Sequence, residues 1–189
     1  ALLQGTKAYG VHVRPLTVPA REGRSEMYEQ PNFYWAQENF LRQLQAGKAW
    51  HWTILRPVLI VGLAMGGAMD LIPPLGVYAA MLREQGRALD FPGGAARVAQ
   101  AVDVDLLARA IAWSGEAETA RNEAFNVTNG DVFTWENIWP AVADALAMKP
   151  GKPVPLSLAK EFPNWVAPWD ALRRKHNLVS PRLPDFVGL

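Results

Sequence analysis

The chain has 189 residues, 50% hydrophobic and 20% charged, with a formal net charge of +1, no cysteine and three histidines. That composition is globular rather than disordered, and the length suffices for one sizeable core or a domain and a half. It excludes a disulfide framework and a thiolate metal site, gives His12, His51 and His176 no metal-ligand spacing, and offers no concentrated basic surface for nucleic acid or anionic membrane.

Arg173-Arg174-Lys175, the one basic run, reads as a solvated helix C-terminus, where cations oppose the helix dipole favourably. The longest apolar stretch, Val58 to Leu63, is far short of a membrane span. No secretory signal is visible, and the lack of cysteine fits a reducing, cytoplasmic compartment.

The chain opens on Ala1-Leu2-Leu3, already apolar, and Ala1 to Gln4 reads as the end of a buried strand of something larger. Gly5 to Gln30, with Pro15, Pro19 and Gly23, reads as a long loop. From Asn32 the apolar residues Phe33, Ala36, Phe40, Leu41 and Leu44 recur at helical spacing, and Gly47 is a natural stop. Tyr34 then falls in the first turn.

His51 to Arg56 alternates as a strand does, with Trp52 and Ile54 on one face, and Pro57 should end its ladder for want of an amide hydrogen. Val58 to Leu75 mixes apolar residues with Gly62, Gly66, Gly67, Pro73 and Pro74 and reads as a close-packed loop. Gly76 to Gln85 is an expected helix closed by Gly86, Ala88 to Phe91 a short strand, and Arg97 to Val102 another. Asp103 or Asp105 can cap a helix to about Trp113, since an aspartate accepts from the exposed amides of the first turn.

Ala124 to Val127 is an expected strand, Asn129-Gly130-Asp131 a turn, and Thr134 a cap for a helix from Trp135 to Met148 that Pro140 should kink. Pro150 to Pro155 reads as an extended linker, Leu158 to Phe162 and Pro168 to His176 as helical, and Leu178 to Leu189 as irregular. Strands alternating with helices argue for an α/β protein.

Chemistry is sparsely signposted. There is no Walker loop, G-x-S-x-G, H-E-x-x-H or G-x-G-x-x-G, and no tyrosine has a lysine four residues on: Tyr9, Tyr28, Tyr34 and Tyr78 are followed there by Val13, Asn32, Glu38 and Leu82. Tyr34 and Lys7 are nevertheless a workable pair for hydride chemistry. A phenol can hydrogen-bond or protonate a carbonyl oxygen that gains charge, and a nearby ammonium favours the phenolate.

Gly5-Thr6-Lys7-Ala8-Tyr9, Pro31-Asn32-Phe33-Tyr34-Trp35, Leu55-Arg56-Pro57, Gly76-Val77-Tyr78-Ala79-Ala80 and the block from Asn122 to Phe133 resemble the progesterone 5β-reductase and iridoid synthase-like family. These are atypical extended short-chain dehydrogenases whose catalytic tyrosine and lysine lie on separate segments. The resemblance implies the C-terminal part of a Rossmann-type α/β fold: last parallel strands and helices plus a small mixed substrate-binding lobe. Residues 1–62 and 97–130 would form the remainder of the nucleotide-binding sheet with the catalytic segments, and 63–96 and 131–189 the lobe.

It also implies reduction of an enone double bond with NADPH, or NADH. Tyr34 would hydrogen-bond the substrate carbonyl and Lys7 would hold the nicotinamide ribose and tune Tyr34. Ile60 would meet the nicotinamide amide, and Gly67, Ala68 and Met69 would line the cofactor. The expected partner is a small-molecule enone, with a homodimer open and no nucleic acid or membrane. Trp35 stands where the family commonly has a second tyrosine, and Ala8 where it often has histidine.

Two other readings stand beside this one. An NAD-dependent epimerase/dehydratase or carbonyl reductase of the same superfamily would differ in which bond its product has lost. A non-catalytic binding or oligomerisation fragment would use Phe33, Tyr34 and Trp35 as core packing, Lys7 as a solvated lysine, and Arg56 as a surface or strand-end residue.

Overall fold

The computed structural model describes residues 1–62, 70–94 and 96–188. The chain divides into two compact units, one of Ala1–Ile60 and Gln100–Asp131, the other of Val61–Ala99 and Val132–Leu189.

The first unit is built on a parallel three-stranded sheet, β1 (Leu2–Leu3), β2 (Thr53–Pro57) and β6 (Glu123–Val127), in the order β1-β2-β6. The helix α1 (Phe33–Gln45) connects β1 to β2, as parallel neighbours require a crossover. The central strand β2 is buried along its whole length, so the expected alternation of faces does not separate core from solvent: a parallel strand flanked on both sides is covered on both faces. Thr53 is admitted there because its hydroxyl donates to the Ala120 carbonyl at 2.7 Å.

Pro57 is the last residue of β2, where the ladder is expected to end. It pairs with Val127, and the Val58 amide continues to the Val127 carbonyl at 3.3 Å. Amides alternate sides along a strand, so the hydrogen that Pro57 lacks would point to the β1 side, beyond the last paired residue of β1. β3 (Leu59–Val61) pairs with β5 (Ala101–Asp103), after which α3 (Val104–Glu116) begins on Asp103, whose carboxylate accepts from the amides of Asp105 and Leu106. Leu55, Val102, Leu107 and Val127 form this unit's apolar core.

In the second unit α2 spans Ile72–Glu84, four residues earlier than the expected start, because Pro73 and Pro74 occupy the first turn, where a missing amide hydrogen costs nothing. β4 (Leu89–Phe91) and β7 (Pro150–Pro153) pair in parallel, so the expected linker is a strand. Its prolines do not interrupt the bonding: the Leu89 amide reaches the Lys149 carbonyl at 2.9 Å, the Val154 amide reaches the Phe91 carbonyl at 2.8 Å, and the Lys152 amide is met by the Asp90 carboxylate at 3.0 Å.

α4 (Trp135–Ala145) starts on Thr134, whose hydroxyl accepts from the Asn137 amide, and contains Pro140. α5 (Leu158–Glu161) and α6 (Val166–Lys175) follow. The stretch expected to be irregular holds α7 (Leu183–Val187), because Leu183 is fully buried against Val77, Met81, Phe162, Trp169 and Leu172. A second cluster joins Tyr78, Ala79, Leu82, Leu89, Trp139 and Ala143.

Candidate active site

β1 ends at Leu3, and the chain turns through Gln4 and Gly5 into one turn of 3₁₀ helix, Thr6–Tyr9, within the stretch expected to be loop. Ala8 and Tyr9 are buried in this turn and Lys7 is exposed. α1 starts on Asn32, and one side chain there does two things. Its Oδ1 accepts from the Tyr34 amide at 3.1 Å, capping the helix, and its Nδ2 donates to the Lys7 carbonyl at 3.2 Å. Asn32 thus ties the lysine turn to the tyrosine helix, and Gln4 adds a second tie from its Nε2 to the Tyr34 carbonyl at 3.4 Å.

The Tyr34 phenol lies against bare backbone. A Cβ placed on Gly5 would sit 3.4 Å from Tyr34 Oη and 4.0 Å from the Pro57 carbonyl oxygen. Phe33 meets the Tyr34 ring edge-on at 4.6 Å between centroids. Among the described residues, Tyr34 Oη has no hydrogen-bond partner and the Lys7 ammonium has no ion-pair partner. The phenols of Tyr9 and Tyr78 are committed elsewhere. Tyr9 donates to Asn126 Oδ1 at 2.5 Å and accepts from Arg56, and Tyr78 donates to the Asp90 carbonyl at 2.9 Å. Tyr28 packs on Trp35 with centroids 4.4 Å apart. The ties hold the lysine turn against the start of α1 and leave a half-buried phenol and an exposed ammonium, both uncommitted among the described residues, on neighbouring segments.

The same segments share with β2 a buried polar cluster that sequence reasoning did not find. Arg56, expected at the surface or a strand end, lies one residue before the end of β2 but is only 1% exposed. Its Nε donates to Gln4 Oε1 at 3.2 Å, Nη1 to Tyr9 Oη at 3.2 Å and Glu26 Oε1 at 2.6 Å, and Nη2 to Glu38 Oε1 at 3.0 Å. The half-exposed Arg42 approaches the other Glu38 oxygen at 3.5 Å, so the buried Arg56 faces two buried carboxylates and Arg42 supplies the balancing charge from the solvent side. The sequence did hold a signal in the spacing, since Glu38 lies one helical turn after Tyr34, and the structure makes it the buried residue of α1.

Ionisation follows this geometry. Burial pushes the Tyr9 phenol up against the opposing pull of Arg56. Burial also works against the Glu26 carboxylate, but hydrogen bonds from the Gly23 amide and from Arg56 prevail and hold its pKa below the ordinary glutamate value. Arg56 stays charged: burial disfavours the guanidinium, and its bonds to Tyr9, Glu26 and Glu38 more than compensate.

Of the other expected site residues, Ile60 is 41% exposed at the middle of β3 and takes no part in the ties joining Lys7 and Tyr34. Gly67, Ala68 and Met69 lie outside the described residues. The second unit holds its own recess of about 240 Å³, lined by residues including Leu75, Phe91, Trp135, Trp139 and Leu158 and by no charged side chain among the described residues. Among the described residues no group of His, Asp and Glu could hold a metal ion, and no helix is long and apolar enough to cross a membrane.

The chain is 34% identical over 199 residues to "Short chain dehydrogenase gsfE" of Penicillium aethiopicum, covering 100% of this chain and 52% of that protein. It is 33% identical over 169 residues to the "(S)-8-oxocitronellyl enol synthase" of Antirrhinum majus, covering 85% of this chain and 43% of that protein. It therefore spans about half the length of the curated relatives it matches. Among solved structures, the UDP-N-acetylglucosamine 4-epimerase from Methanobrevibacter ruminantium M1 superposes with a TM-score of 0.60 over 82% of this chain and 49% of that one. At 18% identity, this likeness shows the fold alone. Residues 1–185 match the description "PRISE-like Rossmann-fold domain", so the chain belongs to the PRISE-like Rossmann-fold family, a mixed α/β fold with parallel strands.

Proposed function

We propose that the chain carries the tyrosine and lysine of an NAD(P)H-dependent reductase that reduces the double bond of an enone in a 1,4 sense. The observation that carries this reading is the Asn32 tie: one side chain caps the helix that bears Tyr34 and binds the turn that bears Lys7, while the phenol itself is left without a partner among the described residues. The family, and the likeness to proteins named as a short-chain dehydrogenase and an enol synthase, support the same chemistry.

The residues suit a nicotinamide cofactor. The uncommitted Tyr34 phenol stands beside Gly5, where the lack of a side chain leaves backbone open to close approach. Lys7 would hold the ribose and Ile60 the nicotinamide amide, with unit one carrying the remainder of the nucleotide-binding sheet and unit two the substrate lobe. When bound, the cofactor supplies a hydride to the β-carbon of the substrate.

The electron pair of the double bond then shifts toward the carbonyl oxygen, which takes up enolate charge. Tyr34 meets that charge with its O–H, an interaction stronger in the transition state than in the ground state and so one that accelerates the reaction. The Lys7 ammonium favours negative charge on the phenol as its proton is drawn toward the substrate.

The test is Tyr34→Phe in the full-length protein, assayed with NADPH and small enones. Turnover should fall by about 10²–10⁴-fold, the range of a positioned general acid, with cofactor affinity nearly unchanged. Near-normal turnover would remove Tyr34 from the mechanism.

A further inference from the structure

We propose that Arg56 is the positioning residue of the Tyr34–Lys7 pair, its buried guanidinium setting the place of the phenol by binding Gln4, Tyr9, Glu26 and Glu38 at once. The proposal rests on the reading of Tyr34 as the donor to the substrate carbonyl.

The four partners come from four stretches of chain: Gln4 just after β1, Tyr9 in the lysine turn, Glu26 in the segment before α1, and Glu38 within α1. Each bears on the pair by a short path. Glu38 is four residues beyond Tyr34, on the same face of α1, so holding its carboxylate fixes the rotation of the helix that carries the phenol. Gln4 accepts from Arg56 through Oε1 and donates to the Tyr34 carbonyl through Nε2, a two-bond path from the guanidinium to the tyrosine backbone. Tyr9 is two residues after Lys7 and anchors its turn.

A planar fork of five N–H donors fits such a set of directions, and a lysine ammonium does not. Stability alone is a poor reason for the arrangement. Well-packed apolar side chains commonly hold a core as well as a buried ion pair does. They lack the directional bonds that fix a helix's rotation to a fraction of an ångström, and misplacement of about 1 Å at a reacting group can cost about a hundredfold in rate.

The experiment is a double-mutant cycle in the full-length protein, with NADPH and an enone. Glu38→Gln keeps the shape of the side chain and removes the charge that Arg56 grips. Its kcat should fall about ten- to a hundredfold with KM little changed. In a Tyr34→Phe background the same substitution should leave the residual turnover almost unaltered, since the group being positioned is gone. Equal fold-losses in both backgrounds, or no loss in either, would overturn the proposal. Should Glu38→Gln lose its circular dichroism, Gln4→Met, which cuts the path from Arg56 to the Tyr34 carbonyl, is read in the same way. Normal turnover of Tyr34→Phe alone is a separate result, and it would overturn the donor reading together with this proposal.

Discussion

At the scale of single residues, Asn32 shows how one amide can carry two roles that substitution can separate. Asn32→Asp keeps the oxygen that caps α1 and replaces the nitrogen that binds the Lys7 carbonyl with a second oxygen that cannot donate. The expected outcome is near-normal thermal stability with reduced turnover. Asn32→Ala loses both bonds and should also lower stability by about 1 kcal/mol, the usual worth of an N-cap, as chemical denaturation would read. Glu26 gives a pH-dependent counterpart. Its pKa is lower in the folded protein than the ordinary 4.5, so its contribution to stability is whole above that value and is lost as the pH falls below it. Glu26→Gln should be less stable at neutral pH and lose less of its melting temperature on acidification. Asn32 and Tyr34 were legible as a helix opening because their partners are close in sequence. Arg56 was not, because its partners at 4, 9, 26 and 38 are brought together only by the fold.

At the scale of elements, proline explains two of the differences between expectation and structure, the early start of α2 and the strand β7. A proline stops a strand or helix only where its missing amide hydrogen was needed. Pro73 and Pro74 sit in the first turn of α2, and Pro150 and Pro153 lie on a two-stranded pair that bonds through its other residues. Sequence pattern shows the proline but not the direction its nitrogen faces. The caps on Asp103 and Thr134 were readable for the opposite reason, since both act within three residues. The β4–β7 pair has its own sensitive point. A Cβ on Gly151 would stand 2.8 Å from both the Cα and the amide nitrogen of Asp90, a backbone contact that can be relieved only by moving a strand. Gly151→Ala should therefore destabilise the protein by about 1–3 kcal/mol, measured as a lowered denaturation midpoint with the slope unchanged.

For the molecule as a whole, the chain order is interleaved: the first unit is left at Ile60 and rejoined at Gln100, and the second is likewise made of two stretches. Each unit has apolar clusters of its own, so each can be probed by its own deletion. Leu183, fully buried against α2 and α6, should cost about 2–5 kcal/mol on change to alanine, read by denaturant unfolding. Local pattern identified an α/β protein because parallel strands and crossover helices leave their periods in the sequence. It left α7 unseen, since five residues scarcely exceed one helical turn and what orders them is the core that Leu183 completes.

The buried guanidinium bears also on how this sequence can change over generations. Losing Arg56 alone leaves Glu26 without a cation and Glu38 with only the half-exposed Arg42, and losing either carboxylate leaves a buried N–H donor of Arg56 without its acceptor, so single steps away from the set pass through an unfavourable intermediate. Gln4, Tyr9, Glu26, Glu38 and Arg56 should consequently be inherited as a block across relatives, and lineages that replace one should have replaced several.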